Sequence, residues 1–374
     1  MPGITPRQAV ASPIAASPKA PRAATAEAKP KPAAGWTAAN RAARVATPAP
    51  VTRVVAGPVN ELEKMSAIVV ANADAYGPTL QLHAEIAKHL PAGTTLVVVE
   101  NKELEGWGLP PPEGAVRVKT NTDSPWARDF APLFVRTPEG KLEVVEFKYL
   151  YPNADNIAKT MGKQLKLPVR SSNLVLEGGN LLVDQGRLFV TSKLMKTNPA
   201  MTKPQIEAEL KKTLHLKEVV WMEPLPGEPT GHVDMYAKLV APNVMLIADT
   251  AQPDQKKTMD AAAKKFEALG YDVVRVANAV VKPARAGEAW GPARSYANAL
   301  IVNGTAFVPQ YATSYDRPNE AKAMKAFDQA AMKAYAAAGL KTVGIAAADL
   351  INFQGSVHCM TNTMPAEVQI GLLK

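Results

Sequence analysis

The sequence predicts an α/β fold, a five-bladed α/β propeller behind a disordered N-terminal tail. Three observations carry that expectation. Composition changes sharply near residue 60, an order of hairpin, helix and strand recurs about five times, and a polar group stands at one equivalent place in each recurrence.

Residues 1–60 contain 18 Ala and 10 Pro, and no Leu. A stretch such as "ASPIAASPKAPRAATAEAKPKPAAG" cannot assemble an apolar face large enough to offset chain entropy. Eight Lys or Arg stand there against Glu27 alone, so the tail holds +7 of the chain's +9 and residues 61–374 keep +2. The high pI therefore belongs to the tail. A basic, proline-rich segment could touch nucleic acid, but its composition is that of a solvated tether, and no nucleic-acid partner is expected. The N-terminus shows no apolar signal core and no run of 18 apolar residues occurs, so neither secretion nor a membrane partner is expected. One cysteine excludes an internal disulfide and a cysteine-based metal cluster, and it fits a reducing compartment, which makes the cytoplasm the expected location.

From Met65 the elements follow in order. "SAIVVAN" is a strand, "GPTLQLHAEIAKHL" a helix and "TTLVVVE" a strand. "APLFVRT" and "LEVVEFKYL" make a hairpin around "PEG", followed by helical "NIAKTMGKQL" and "LPVRSS". "NLVLEGGNLLVD" with "RLFVTSK" repeats the hairpin before "KPQIEAELKKTL" and "EVVWM". "GHVDMYAKLVAP" with "VMLIAD" does so again before "QKKTMDAAAKKFEALG" and "YDVVRVA". "SYANALIVNGTAFVPQY", the long "NEAKAMKAFDQAAMKAYAAAG" and "KTVGIAA" come last, closed by "SVHCMTN", which reads as a strand. A doubly wound sheet would instead alternate single strands with helices, and no G-x-G-x-x-G follows a strand.

Polar residues that interrupt apolar strands carry the functional information. They are Asp129 in "DSPWARDFAP", Glu177 and Asn180 in "LEGGN", His232 and Asp234 in "GHVDMY", Asn298 in "SYANAL" and Cys359 in "SVHCMT". In a radial fold, equivalent strands converge, so these groups are expected to meet. Cys359 adjoins His358, yet neighbouring strand residues point to opposite faces; the base for this thiol is expected elsewhere, with His358 turned away. His232 and Asp234, two apart, would share a face. No second histidine pair has ligand spacing, so no metal is expected. Two carboxylates suit the planar guanidinium fork, a thiolate attacks its electron-poor carbon, and an imidazole moves the proton. The set reads as hydrolysis of a guanidine C–N bond.

These motifs, with "HCMT…P", resemble the agmatine deiminase and bacterial peptidylarginine deiminase family of the guanidino-group-modifying superfamily, whose fold is the pentein. The resemblance runs from about residue 65 onward in the same order. It implies that 61–374 is a deiminase catalytic domain in which Cys359 forms a covalent thiouronium adduct, ammonia leaves and water releases a ureido product. Asp129 and Asp234 would grip the guanidinium, His232 would be general acid and base, and Trp126, Glu177, Asn180 and Asn298 would line the pocket. No cofactor is implied, and His358 has no part. The partner is a small-molecule or peptide guanidine. "DSPWARD" and "HVDMYAKLVAPN" look closer to the peptidylarginine branch, so a peptidyl or free arginine derivative is preferred, with agmatine giving N-carbamoylputrescine as the alternative. A non-catalytic binding module on the same fold and an amidinotransferase are the readings of other classes.

Overall fold

Runs of Val and Ile build the buried strands, and the turns between them set the rest. The computed structural model describes residues 55–373 except 73–76, 103–109, 151–153, 155, 281–293, 313–317 and 354, so the tail assignment lies outside the described residues for 1–54. Ordered pairing starts earlier than the expected boundary at 60. Strand β1 (Gly57–Pro58) pairs antiparallel with β5 (Leu133–Arg136). A two-residue strand adds little apolar area, which is why composition placed it in the tail.

Five sheets follow one plan. In the first, β2 (Met65–Asn72) leads through α1 (Gly77–Lys88) to the parallel strand β3 (Thr95–Asn101), with β4 (Val116–Thr120) at the edge. The second begins after the one-turn α2 (Ala127–Phe130), with the hairpin of β5 and β6 (Leu142–Lys148). Helix α3 (Ile157–Gln164) and parallel β7 (Val169–Val175) complete it. The third comprises β8 (Leu182–Asp184), β9 (Arg187–Thr191), α4 (Lys193–Thr197), α5 (Lys203–Leu214) and β10 (Glu218–Met222). The fourth holds β11 (Ala237–Ala241), β12 (Val244–Asp249), α6 (Pro253–Ala268) and β13 (Asp272–Ala277). The fifth holds β14 (Leu300–Val302), β15 (Thr305–Gln310), α7 (Pro318–Ala337) and β16 (Lys341–Ala346). The first sheet lacks a hairpin partner of its own; β17 (Thr361–Pro365), last in the chain, supplies it by pairing antiparallel with β2.

Local chemistry explains the joints. Gln185–Gly186 and Asn303–Gly304 connect their hairpins with φ of 51° and 79°, and 47° and 76°, the paired positive φ of a type I′ turn. Thr202 and Gln205 form a capping box at the start of α5, with the Thr202 N–H donating to Gln205 Oε1 at 2.8 Å. Packing joins neighbouring sheets in chain order. One apolar cluster unites Val69 and Phe134 of the first two sheets, another Val135 and Leu188 of the second and third, and another Phe189 and Met245 of the third and fourth. The largest contains Leu246, Phe307 and Ile68, from the fourth, fifth and first. No helix among the described residues is long and apolar enough to cross a membrane.

Two expectations need correction. "SVHCMTN" is not a strand up to Thr361: residues 357–360 form a turn, with the Met360 N–H on Ser356 O at 3.2 Å and the Thr361 N–H on His358 O at 3.1 Å. The polar residues likewise precede the strands instead of interrupting them. Side-chain bonds to the local backbone compete with a ladder, and these residues took the turns.

The Asn303 amide ties the fifth sheet to the first. Its Oδ1 accepts the Met65 N–H at 2.9 Å, and its Nδ2 donates to Met65 O at 2.9 Å. Asn303→Gly keeps the turn but strands both backbone groups, and is expected to cost about 1–3 kcal/mol. Asn303→Ala, strained at positive φ, should cost more. Urea midpoints of both variants within error of the parent would refute this bridge.

Candidate active site

Turns immediately before the hairpins deliver the functional side chains. Asp129 belongs to α2, ahead of β5. Glu177 precedes and Asn180 ends a 3-10 turn at Gly178–Asn180. His232 caps, and Asp234 lies within, the 3-10 turn Val233–Met235 before β11. Asn298 lies two residues before β14, and Cys359 two before β17. The glycines of "LEGGN" permit this convergence. A Cβ on Gly178 would collide with the Arg128 carbonyl oxygen, and one on Gly179 with His232 Nδ1. They mark close approach, not a bulge.

Cys359 lies in a clamp. Asn298 Nδ2 is 3.1 Å from Sγ, Asn298 Oδ1 accepts the Cys359 N–H at 3.2 Å, and Asp234 Oδ2 is 3.7 Å from Sγ. Across the site, His232 Nε2 lies 2.9 Å from Glu177 Oε2, and its Nδ1 lies 3.9 Å from Asp129 Oδ1. The Gly179 N–H donates to Asp129 Oδ1 at 2.9 Å. Two buried atoms, Asp234 Oδ1 and His232 Nδ1, have no hydrogen-bond partner. Unsatisfied buried polar atoms are costly, and at a site they mark where a ligand's donors or acceptors belong.

Burial acts on every charge here. It pushes the Asp129 carboxyl up to about 7, with His232 opposing and Glu177 adding to the rise. It also works against a charged His232, but Asp129, Glu177 and Asp234 outweigh it and bring the imidazole to about 9. Burial would raise Asp234, yet the His358 hydrogen bond and charge hold it below the usual carboxylate range. The Cys359 thiol is pushed well above its ordinary value by burial and then by Asp234 and Asp129. Because two anions contribute to that rise, a cation placed between them would lower the thiol's proton affinity. Asp129, Glu177 and His232 also turn donor atoms to within 4.8 Å of one another, the spacing of a small-cation pocket.

The structure brings Asp129, His232, Asp234, Asn298 and Cys359 together. Glu177 stands behind His232. Asn180 shares the recess beside Glu177 and His232, but its Oδ1 accepts the Thr191 N–H at 2.9 Å and so supports β9. The Trp126 ring packs on Gly355, in the loop that leads to Cys359. His358 does not turn away: its Nδ1 lies 2.7 Å from Asp234 Oδ2. The strand argument failed because Cys359 sits on a turn, where alternation of faces does not apply. Sequence reasoning also missed Glu61, Arg128 and Lys238, which cluster behind His358. A lysine inside the apolar run "YAKLVAP" was the visible signal, since an unpaired charge is not buried there.

The family model for Porphyromonas-type peptidyl-arginine deiminase matches residues 33–365. The agmatine deiminase of Pseudomonas fluorescens is 27% identical over 301 residues, covering 68% of this chain and 77% of its own. That of Pseudomonas putida is 28% identical over 300 residues, covering 67% and 77%. Among solved structures, C. jejuni agmatine deiminase superposes with a TM-score of 0.67 at 20% identity, over 84% of this chain and 97% of that one. The agmatine deiminase of Enterococcus faecalis gives 0.67 at 22%, over 87% and 100%. At such identities the structural likeness establishes a shared α/β fold.

Linkage sets a pH dependence. The folded value of His232, about 9, exceeds its ordinary 6.5, so stability from the imidazolium is fully present below about 6.5 and is lost as pH rises through 9. Asp129, also raised, loses stability over an earlier window, from about 4 to 7. The urea midpoint is therefore expected to fall between pH 6.5 and 9.5, and His232→Gln to remove that fall. In Asp129→Asn, the His232 Cε1–H resonance should titrate at lower pH; an unmoved titration would disprove the pairing.

Proposed function

The chain belongs to the Porphyromonas-type peptidyl-arginine deiminase family, and from that premise we propose that it converts agmatine and water to N-carbamoylputrescine and ammonia. It is a hydrolase of C–N bonds in linear amidines. The observation that carries the finer reading is the thiol of Cys359 clamped by Asn298, with Asp234 beside it and the Asp129–His232–Glu177 group opposite. The preference for a peptidyl or free arginine derivative that the sequence suggested gives way to agmatine, because the curated relatives described above are agmatine deiminases. "YLYPNADNIAK", which follows Lys148, offers no arginine for a carboxylate, and agmatine has none.

The scheme follows from the geometry. Asp234 and Asp129 take the guanidinium N–H groups, with Asp234 Oδ1 free to accept. The cation lowers the thiol's proton affinity, the S–H proton is lost to solvent, and the Sγ thiolate attacks the guanidinium carbon. The leaving nitrogen takes a proton from the His232 imidazolium and departs as ammonia. Neutral His232, held by Glu177, then removes a proton from water, whose oxygen adds to the same carbon. The C–S bond breaks, the thiolate takes up the hydroxyl proton of the departing ureido product to restore the thiol, and His232 has its proton back.

The five sheets support a further reading, of five blades around one axis with the turns at its centre. The four apolar clusters join consecutive sheets, and β17 joins the last segment to the first. The paired core of the catalytic domain on this reading begins near Gly57.

Colorimetric detection of ureido product with agmatine, arginine and short arginine peptides tests the substrate. Agmatine is expected to give the highest kcat/KM; a larger value with an arginine peptide overturns the choice. Cys359→Ala should lower turnover by about 10⁴-fold or more, as loss of a nucleophile does. Asp129→Asn and Asp234→Asn should each weaken kcat/KM by about 10- to 150-fold, through loss of a charge-assisted hydrogen bond. His232→Ala should accumulate an enzyme adduct visible by intact mass. Normal turnover by Cys359→Ala would end the thiol mechanism.

A further inference from the structure

Beneath the site lies a charge cluster that the proposed scheme leaves unused. Glu61, between β1 and β2, sits under the turn that carries Cys359. Its Oε1 takes Arg128 Nη2 at 2.6 Å and His358 Nε2 at 2.8 Å, and its Oε2 takes Lys238 Nζ at 2.5 Å and the Ile301 N–H at 3.1 Å. His358 reaches the other way, with Nδ1 2.7 Å from Asp234 Oδ2. Both neighbours are carboxylates, so each ring nitrogen faces a hydrogen-bond acceptor. It is buried, as are Asp234 and Lys238. A single imidazole thus bridges one carboxylate inside the site and one outside it.

We infer that His358, fixed by Glu61, is the positioning residue that pins one oxygen of Asp234 and so turns the other toward the guanidinium. This rests on the deimination reading of the site. A carboxylate rotates freely about its terminal torsion unless one oxygen is held. Asp234 Oδ2 is held by His358, while Oδ1 is buried without a partner. The thiol at 3.7 Å from the same Oδ2 is a weak donor and cannot replace the imidazole. Around the pair stand Arg128 from α2, Lys238 from β11, and Asp129 and His232 across the site. Glu61 faces the first two and His358 together, and no other acid is bonded to any of the three among the described residues apart from Asp234. Its charge is what lets the two cations and the imidazole ring lie together out of water.

The test uses the full chain with His358→Leu, His358→Asn, Glu61→Gln and Asp234→Asn. His358→Leu is expected to raise KM for agmatine about 10- to 100-fold and to lower kcat, the range of a lost charge-assisted hydrogen bond. His358→Asn places a side-chain N–H near the position of Nδ1 and should recover most of the loss in KM. In the double variant with Asp234→Asn, His358→Leu should add less than about threefold, because the two act as one. A merely structural histidine would lower the active fraction, leave KM unchanged and show no rescue by Asn; that result, or additive effects, overturns the inference. Should His358→Leu fail to fold, His358→Asn and Glu61→Gln carry the comparison. A substrate-free readout separates this inference from the reading of the reaction. In Cys359→Ala, the ¹⁵N shifts of the two His358 ring nitrogens should report a contact at each, and adding Glu61→Gln should move the Nε2 shift. Shifts unchanged by Glu61→Gln overturn the bridge even if no guanidine is ever turned over.

Discussion

Two carboxylates, partly buried Asp129 and buried Asp234, share one small site, and like charges in low dielectric repel strongly. The rest of the centre answers that constraint. Asp234 remains an anion because His358 and its surroundings balance it. Asp129 has His232 at 3.9 Å and a single backbone donor, and its carboxyl titrates near 7. The two acids are therefore unequal before any ligand arrives. One is a fixed anion with an open oxygen, and the other shares its charge balance with the His232 imidazole. Environments that drive the proton affinities of neighbouring groups apart are what acid–base chemistry at neutral pH requires.

The same constraint explains the glycines and the turns. Five side chains from four segments reach one point only if the segments approach closely, and Gly178 and Gly179 are where the Arg128 carbonyl and the His232 ring come against a neighbouring backbone. Strands would have sent alternate residues away from the centre. Turns allow Val233–Met235 to present His232 and Asp234 together, and allow His358 and Cys359, adjacent in the chain, to engage the same carboxylate.

The sequence made the order of elements legible because apolar runs and amphipathic helices are local patterns. "NG" at Asn303–Gly304 announced its turn, and the recurrence of hairpin, helix and strand is present in all five sheets, with β17 as the borrowed member. Asp129, His232, Asp234, Asn298 and Cys359 stood out because each is polar beside buried apolar strands. What escaped was non-local. Glu61 follows a proline-rich stretch in the sequence, and nothing in its own neighbourhood reveals that Arg128, Lys238 and His358 will surround it. The geometry of "HC" was misread for a related reason: the turn at 357–360 depends on contacts with Asn298.

The pairing of β17 with β2 has a consequence for biosynthesis. These strands are separated by nearly the whole folded chain, so their contact carries a high loop-closure cost and belongs to the late stage of folding. Domains begin to fold from the N-terminus as the chain emerges. The segment with the sole thiol is synthesised after every other strand of the fold, and its docking both completes the first sheet and sets Cys359 in its clamp of Asn298 and Asp234. A nascent or prematurely truncated chain thus has the acids and the imidazole but not the thiol. The site becomes whole only as the last strand pairs with the first, so its completion would itself time the final step of folding.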